Sequence, residues 1–269
     1  MNLVTTDWLK SNLNTVKIFD ASWHMPSTKR DAKKEYDKKH IKGAMFWDID
    51  EHSDKNSPFP HMMATSDYWC EMIKSYGIKN EDHIIVYDFS DIYSSCRLWF
   101  ALKYFGHKKV SVLDGGMKKW LKEKKETTDK LEKIQKADDY KINENYKWII
   151  KKNEINLNIE NNFFQTVDAR SRDRFEGKSD EPRPDLKRGS IKGSKNIPFK
   201  YCINSVTNTF KPKSELIKIF TENKVDTSKP IVFTCGSGVT ACVLGMAYSL
   251  ISDKNAVIYD GSWSEYGKK

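Results

Sequence analysis

The chain carries five cysteines, Cys70, Cys96, Cys202, Cys235 and Cys242, and one of them stands where a nucleophile would be placed. Pro230 to Thr234 reads as a short apolar strand that stops at Cys235, and Gly236-Ser237-Gly238 reads as a loop leading into an apolar helix. Glycines let the backbone take positive φ and approach a ligand closely, so consecutive N–H groups can converge there on one anion. The helix adds the positive end of its dipole, and positive potential favours the thiolate, the reactive form of cysteine. The other four cysteines fall on helical or irregular stretches and read as small core residues. A cysteine loop built for phosphate would carry an arginine six residues on, to fork onto the oxygens. That position is Ala241, and no arginine follows Arg188. The loop suits a small anion or a persulfide held by backbone donors, not a phosphate ester.

Arginine is scarce and clustered. Only seven of the 46 basic residues are arginine, and five of these (Arg170, Arg172, Arg174, Arg183 and Arg188) fall between positions 170 and 188. A guanidinium is a planar fork for carboxylates and other oxyanions, whereas lysine is a hydrated point charge suited to a solvated face. The 39 scattered lysines therefore read as a surface coat. All six histidines (His24, His40, His52, His61, His83 and His107) precede residue 108. Any Cys–His or Ser–His relay to Cys235 has to join the two halves of the chain.

The elements that must position these residues occur twice. Lys17-Ile18-Phe19-Asp20-Ala21 is echoed by Thr166-Val167-Asp168-Ala169-Arg170, and His40-Ile41-Lys42-Gly43-Ala44 by Ser190-Ile191-Lys192-Gly193-Ser194. Ile84 to Tyr87 is echoed by Pro230 to Phe233, and Val112-Leu113-Asp114-Gly115-Gly116 by Ile258-Tyr259-Asp260-Gly261-Ser262. Each echo follows its counterpart by 146 to 150 residues, in one order, which marks a tandem duplication. Helical periodicity over Asp67–Tyr76, Cys96–Phe105, Lys213–Asn223 and Ala241–Ser252 alternates with the strands. That alternation predicts an α/β fold: two tandem domains, each a mainly parallel sheet flanked by helices. Ligands then bind outside the carboxyl ends of the strands, which is where Cys235 lies. The spacing suggests a first domain over 1–136, a linker over 137–146 and a second domain over 147–269. Lys122 to Asn145, rich in Lys, Glu and Asp, reads as a surface linker. The repeat puts Phe89 where Cys235 stands, so the first domain lacks the thiol and is expected to be catalytically inactive.

The chain has 269 residues, a net charge of +9, and 38% hydrophobic against 31% charged residues. That is enough apolar material for two cores, and no run approaches the roughly 18 residues of a membrane helix. No basic stripe with interleaved aromatics speaks for nucleic acid. No Cys/His ladder speaks for zinc. Met1 to Phe19 lacks the pattern of a secretory leader. The odd number of unevenly spaced cysteines suggests reduced thiols, hence a cytoplasmic protein, with a mitochondrial one the alternative.

The tandem repeat and the Cys235-Gly236-Ser237-Gly238-Val239-Thr240 loop together resemble the two-domain sulfurtransferases of the rhodanese superfamily. Within it they are most similar to the 3-mercaptopyruvate enzymes, since the thiosulfate enzymes carry a basic Cys-Arg-Lys-Gly-Val-Thr loop and this one is neutral. The resemblance covers almost the whole chain and includes Asp168-Ala169-Arg170, Asp173-Arg174-Phe175-Glu176-Gly177 and Glu181-Pro182-Arg183. It implies that Arg174 and Arg183 hold the substrate's carboxylate and keto oxygen, with Arg170, Arg172 and Arg188 structural or superficial. The competing reading makes Arg174 and Arg183 ion-pair partners of Asp173, Glu176 or Glu181. Asp48-Ile49-Asp50 and Ser57-Pro58-Phe59-Pro60-His61-Met62 match a further segment, which implies a proton relay of Asp50, His61 and Ser237. Pro60 departs from the Asp usual there. The implied site lies at the domain interface, with the loop residues Gly236, Gly238, Val239 and Thr240 around the sulfur and Tyr93 on the wall given by the first domain. The implied chemistry passes sulfur from 3-mercaptopyruvate through a Cys235 persulfide to a thiol such as thioredoxin, releasing hydrogen sulfide, or to cyanide. Pyruvate is the co-product, and neither cofactor nor metal is called for. Alternatives are thiosulfate as donor or a non-catalytic binding module.

Overall fold

Short β-branched and aromatic runs build two sheets of the same design in a computed structural model that describes residues 1–269. The first sheet contains β1 (Leu3–Val4), β2 (Lys17–Asp20), β3 (Ala44–Phe46), β4 (Ile84–Tyr87) and β5 (Val110–Leu113). The second contains β6 (Ile149–Ile150), β7 (Gln165–Asp168), β8 (Lys195–Asn196), β9 (Ile231–Thr234) and β10 (Val257–Tyr259). Strand order is β1-β5-β4-β2-β3 in one and β6-β10-β9-β7-β8 in the other, and every pairing is parallel. The duplication read from the residues is thus a duplication of topology.

Parallel strands covered on both faces must be apolar throughout rather than alternating, and all four residues of β4, β5 and β9 are buried. Helices span Ser66–Ser75, Ser95–Tyr104, Lys213–Glu222 and Val239–Ser249, within two or three residues of the expected bounds. The last begins two residues early because Gly238, at φ +77°, turns the chain straight from loop into helix. It is apolar nearly all round because it lies over the sheet. At Gly245 a Cβ would come within 2.9 Å of Ala256 Cβ, so the glycine is what lets this helix come so close to the residue before β10.

Two compact units result: Met1–Asp54, Met63–Asn145 and Val206–Thr209 form the first, and Lys55–Met62, Tyr146–Ser205 and Phe210–Lys269 form the second. Residues 125–145 hold no helix and only a single β-bridge, yet they are fastened to the first unit. Ala137 N–H donates to Lys74 O, the Tyr140 hydroxyl bonds His107 Nδ1 at 2.8 Å, and Asn145 N–H donates to Tyr104 O. Ala137 and Tyr140 are buried. The expected surface linker is a strap, most of its charged residues facing solvent while Ala137 and Tyr140 dock.

Candidate active site

Cys235 follows the last residue of β9, and its loop is held by the turn after β10. Cys235 O accepts from Trp263 N–H at 2.9 Å and Gly236 O from Ser264 N–H at 2.8 Å. The Ser262 hydroxyl accepts from Cys235 N–H at 3.1 Å and from Gly238 N–H at 3.2 Å. Gly238 N–H is thereby tied to the turn after β10. Val239 and Thr240 open the helix, where backbone N–H groups have no acceptor within the helix. Cys235 is 2% exposed. All five cysteines are free thiols; burial pushes Cys202 up to about 12, and Cys242 donates to Gly238 O from inside the helix. Cys235 alone stands on the loop.

Two predicted side chains reach this loop within the second unit. His61 Nδ1 lies 2.9 Å from Ser237 Oγ, both buried. His61 belongs to the first repeat by sequence, but its segment, Lys55–Met62, belongs to the second compact unit. Its backbone is left-handed, φ 62°, immediately after Pro60. The guanidinium of Arg174 reaches Gly236: a Cβ on that glycine would lie 3.2 Å from its terminal nitrogen. Arg174 is also ion-paired, its Nη2 donating to Glu181 at 2.5 Å. The pairing offered as the competing reading is therefore real, and it holds the arginine beside the cysteine loop.

Glu181 is shared. Its other oxygen accepts from Arg170 Nη1 at 2.7 Å, and Arg170 also forks onto Asp168 and donates to Gly189 O. Arg170 is fully enclosed, with its guanidinium 4.4 Å from the Trp263 ring centre. Burial would weaken its proton affinity, but Asp168 and Glu181 outweigh that and raise it above the ordinary value. Arg172 bonds Asn223 and Arg188 pairs with Asp180. Arg183 is partly buried in the turn where its carbonyl accepts from Leu186 N–H. Asp50 and Tyr93 belong to the first unit. Asp50 accepts from Trp23 Nε1 at 2.7 Å, and the Tyr93 hydroxyl donates to Asn208 at 2.6 Å. Sequence reasoning missed Ser262, and it offered Glu181 only as one of three ion-pair partners for the arginines. Only the contacts reveal that Glu181 is shared by Arg170 and Arg174, and that Ser262, in the Asp260-Gly261-Ser262 motif, holds the cysteine loop.

No group of three or more His, Cys, Asp or Glu side chains is arranged to hold a metal, and no helix is long and apolar enough to cross a membrane. The rhodanese-like domain pattern matches residues 5–123 and again 151–269. Human 3-mercaptopyruvate sulfurtransferase is 37% identical over 98% of this chain and 91% of its own length. Rat thiosulfate sulfurtransferase is also 37% identical, over 99% of this chain and 92% of its own. The crystal structure of SseA from Escherichia coli, described among 3-mercaptopyruvate sulfotransferases with the rhodanese fold, superposes with a TM-score of 0.87 at 32% identity, covering 97% of this chain and 98% of that one. Twin parallel sheets, a loop cysteine and matches over nearly the full length leave one conclusion: the chain belongs to the rhodanese family, as a sulfurtransferase of two tandem rhodanese-like domains.

Proposed function

We propose that the protein moves sulfur from 3-mercaptopyruvate to a thiol acceptor. The observation that carries this reading is the Arg174 guanidinium beside Gly236 of a loop with no charged side chain of its own. A carboxylate-bearing keto acid needs a fork to orient it, and positioning of that kind contributes strongly to rate. Arg183 would bind the same carboxylate and keto oxygen. The Cys235 thiolate attacks the sulfur of the donor, so that the S–S bond forms as the C–S bond breaks. The electron pair of that bond passes to carbon, giving the enolate of pyruvate and a Cys235 persulfide. The Ser237–His61 pair, with Asp50 as the third member of the relay, takes the proton of the donor thiol and returns it to the enolate. N–H groups of Gly236, Val239 and Thr240 stabilise the sulfur anion, and Tyr93 contributes to substrate binding. The outer sulfur then passes to a thiol such as thioredoxin, and a second thiol releases hydrogen sulfide; cyanide would give thiocyanate instead. The scheme calls for no metal or organic cofactor. Five free thiols suit a reducing compartment, the cytoplasm or the mitochondrion.

Incubation with 3-mercaptopyruvate and dithiothreitol, with pyruvate and sulfide measured together, tests the reading. Equal amounts of the two products are expected, with Cys235→Ser reduced to background. Thiosulfate turned over as well as or better than 3-mercaptopyruvate would give the protein the other donor, consistent with its equal likeness to the rat thiosulfate enzyme. Full activity in Cys235→Ser would end both versions.

A further inference from the structure

We infer that Ser262 is a positioning residue that shapes the cysteine loop from the turn after β10. The inference rests on Cys235 being the nucleophile. Ser262 is buried and its backbone is left-handed, φ 49°. A side chain with a Cβ is unfavourable there, and glycine is the residue that takes such a conformation freely. In the first unit the corresponding position is indeed Gly116, at φ 54°, where a Cβ would come within 2.5 Å of the Asp88 carbonyl oxygen. The repeat therefore uses glycine in the half without the thiol and serine in the half that has it.

What the serine adds is a hydroxyl with every hydrogen-bonding position used. It donates to Tyr259 O at 2.8 Å and accepts from Cys235 N–H and Gly238 N–H. A hydroxyl offers one donor and two acceptor sites, so nothing is left for a substrate. One atom thus ties the N–H at each end of the Cys235–Gly238 loop to a single point on the neighbouring strand end. The two residues after it hold the loop carbonyls of Cys235 and Gly236 from the same side. With these groups pinned to the turn after β10, the loop holds Gly236 beside the Arg174 guanidinium and the Ser237 hydroxyl within reach of His61. Ser262 acts through the loop and touches no reacting atom.

Ser262→Gly and Ser262→Ala separate this role from plain stability. The measurements are melting temperature, kcat and KM with 3-mercaptopyruvate and with thiosulfate, and the rate of Cys235 alkylation by iodoacetamide. Both variants lose the hydroxyl, but only glycine relieves the left-handed backbone. The expected result is that Ser262→Gly melts above Ser262→Ala while both lose kcat to the same extent. A misplaced loop should cost about a hundredfold. KM stays close to the wild-type value because Arg174 is still held by Glu181. Alkylation should change in rate in both variants by a similar factor. Wild-type kcat in either variant overturns the inference, as does activity that tracks melting temperature from alanine to glycine. Alkylation at the wild-type rate in both variants overturns it as well. Alkylation needs no sulfur donor, so a wild type that turns over neither donor would defeat the proposed function while leaving Ser262 open to this measurement.

Discussion

Glu181 is a carboxylate, its side chain 1% exposed, between the guanidiniums of Arg170 and Arg174. A buried charge that loses one partner is strongly destabilising, so such a group persists only inside a satisfied network. Arg170 supplies that network from below, through Asp168, Gly189 and the face of Trp263. Arg174 is the less enclosed end, 24% exposed, and lies beside Gly236. Glu181→Gln keeps the shape and removes the charge. It is expected to lower stability by about 3 kcal/mol and to raise KM for 3-mercaptopyruvate roughly tenfold, equivalent to about 1.4 kcal/mol of donor binding. On the proposed role of Arg174 as the donor's fork, kcat should change less than KM. Denaturant unfolding and steady-state kinetics on one preparation check both parts.

The turns that end β2 and β7 show how one element has served two different ends. β7 closes on Asp168, with Arg170 two residues on as its partner. β2 closes on Asp20, and the residue two positions on is Ser22, which donates its N–H and hydroxyl to the carboxylate but brings no positive charge. Burial therefore pushes Asp20 up to about 6, the Ser22 hydrogen bonds opposing it and buried Asp88 adding to it. The carboxyl titrates near 3.9 in an unfolded chain, so between about pH 4 and 6 the native state binds the extra proton. Its contribution to stability is complete below that window and is lost as pH rises through about 6. A shift of that size is worth on the order of 3 kcal/mol. Asp20→Asn keeps an acceptor for Ser22 and removes the titration. The wild type should lose stability between pH 5 and pH 7, and the variant should lose less, the remainder reflecting Asp88, which burial also raises. Urea titrations at the two pH values measure this; equal slopes in the two proteins would refute it.

At the scale of the molecule each compact unit contains a short segment from the other repeat. Lys55–Met62 belongs to the second unit and Val206–Thr209 to the first. The two segments correspond: His61 and Asn208 are 147 positions apart, both at φ 62°. His61 bonds Ser237 on the loop after β9, and Asn208 bonds Tyr93 on the loop after β4 and the Gly115 carbonyl. A fragment of residues 146–269 would keep the sheet and Cys235 but lose His61. General acid–base groups contribute about a hundredfold or more, so this fragment should fall at least that far in sulfide release while its cysteine still reacts with iodoacetamide. Turnover equal to the full chain would show that His61 takes no part.

Much of this was legible in the residues because the signals are local. An apolar run of four ending in Cys-Gly-Ser-Gly specifies a strand and a turn without reference to anything distant, and two copies of the same order specify two like sheets. The arginine cluster is likewise contiguous, so Arg174 could be singled out before its surroundings were known. What tertiary structure alone decided is which groups meet across long separations. Ser262 reaches Cys235 from 27 positions on because β9 and β10 are neighbours in the sheet. His61 reaches Ser237 across 176 positions because its segment folds with the other unit. Hydrogen bonds depend on distance and direction in space, whereas sequence records only order along the chain. The loop cysteine could therefore be read from the sequence by itself, and the atoms that hold its loop could not.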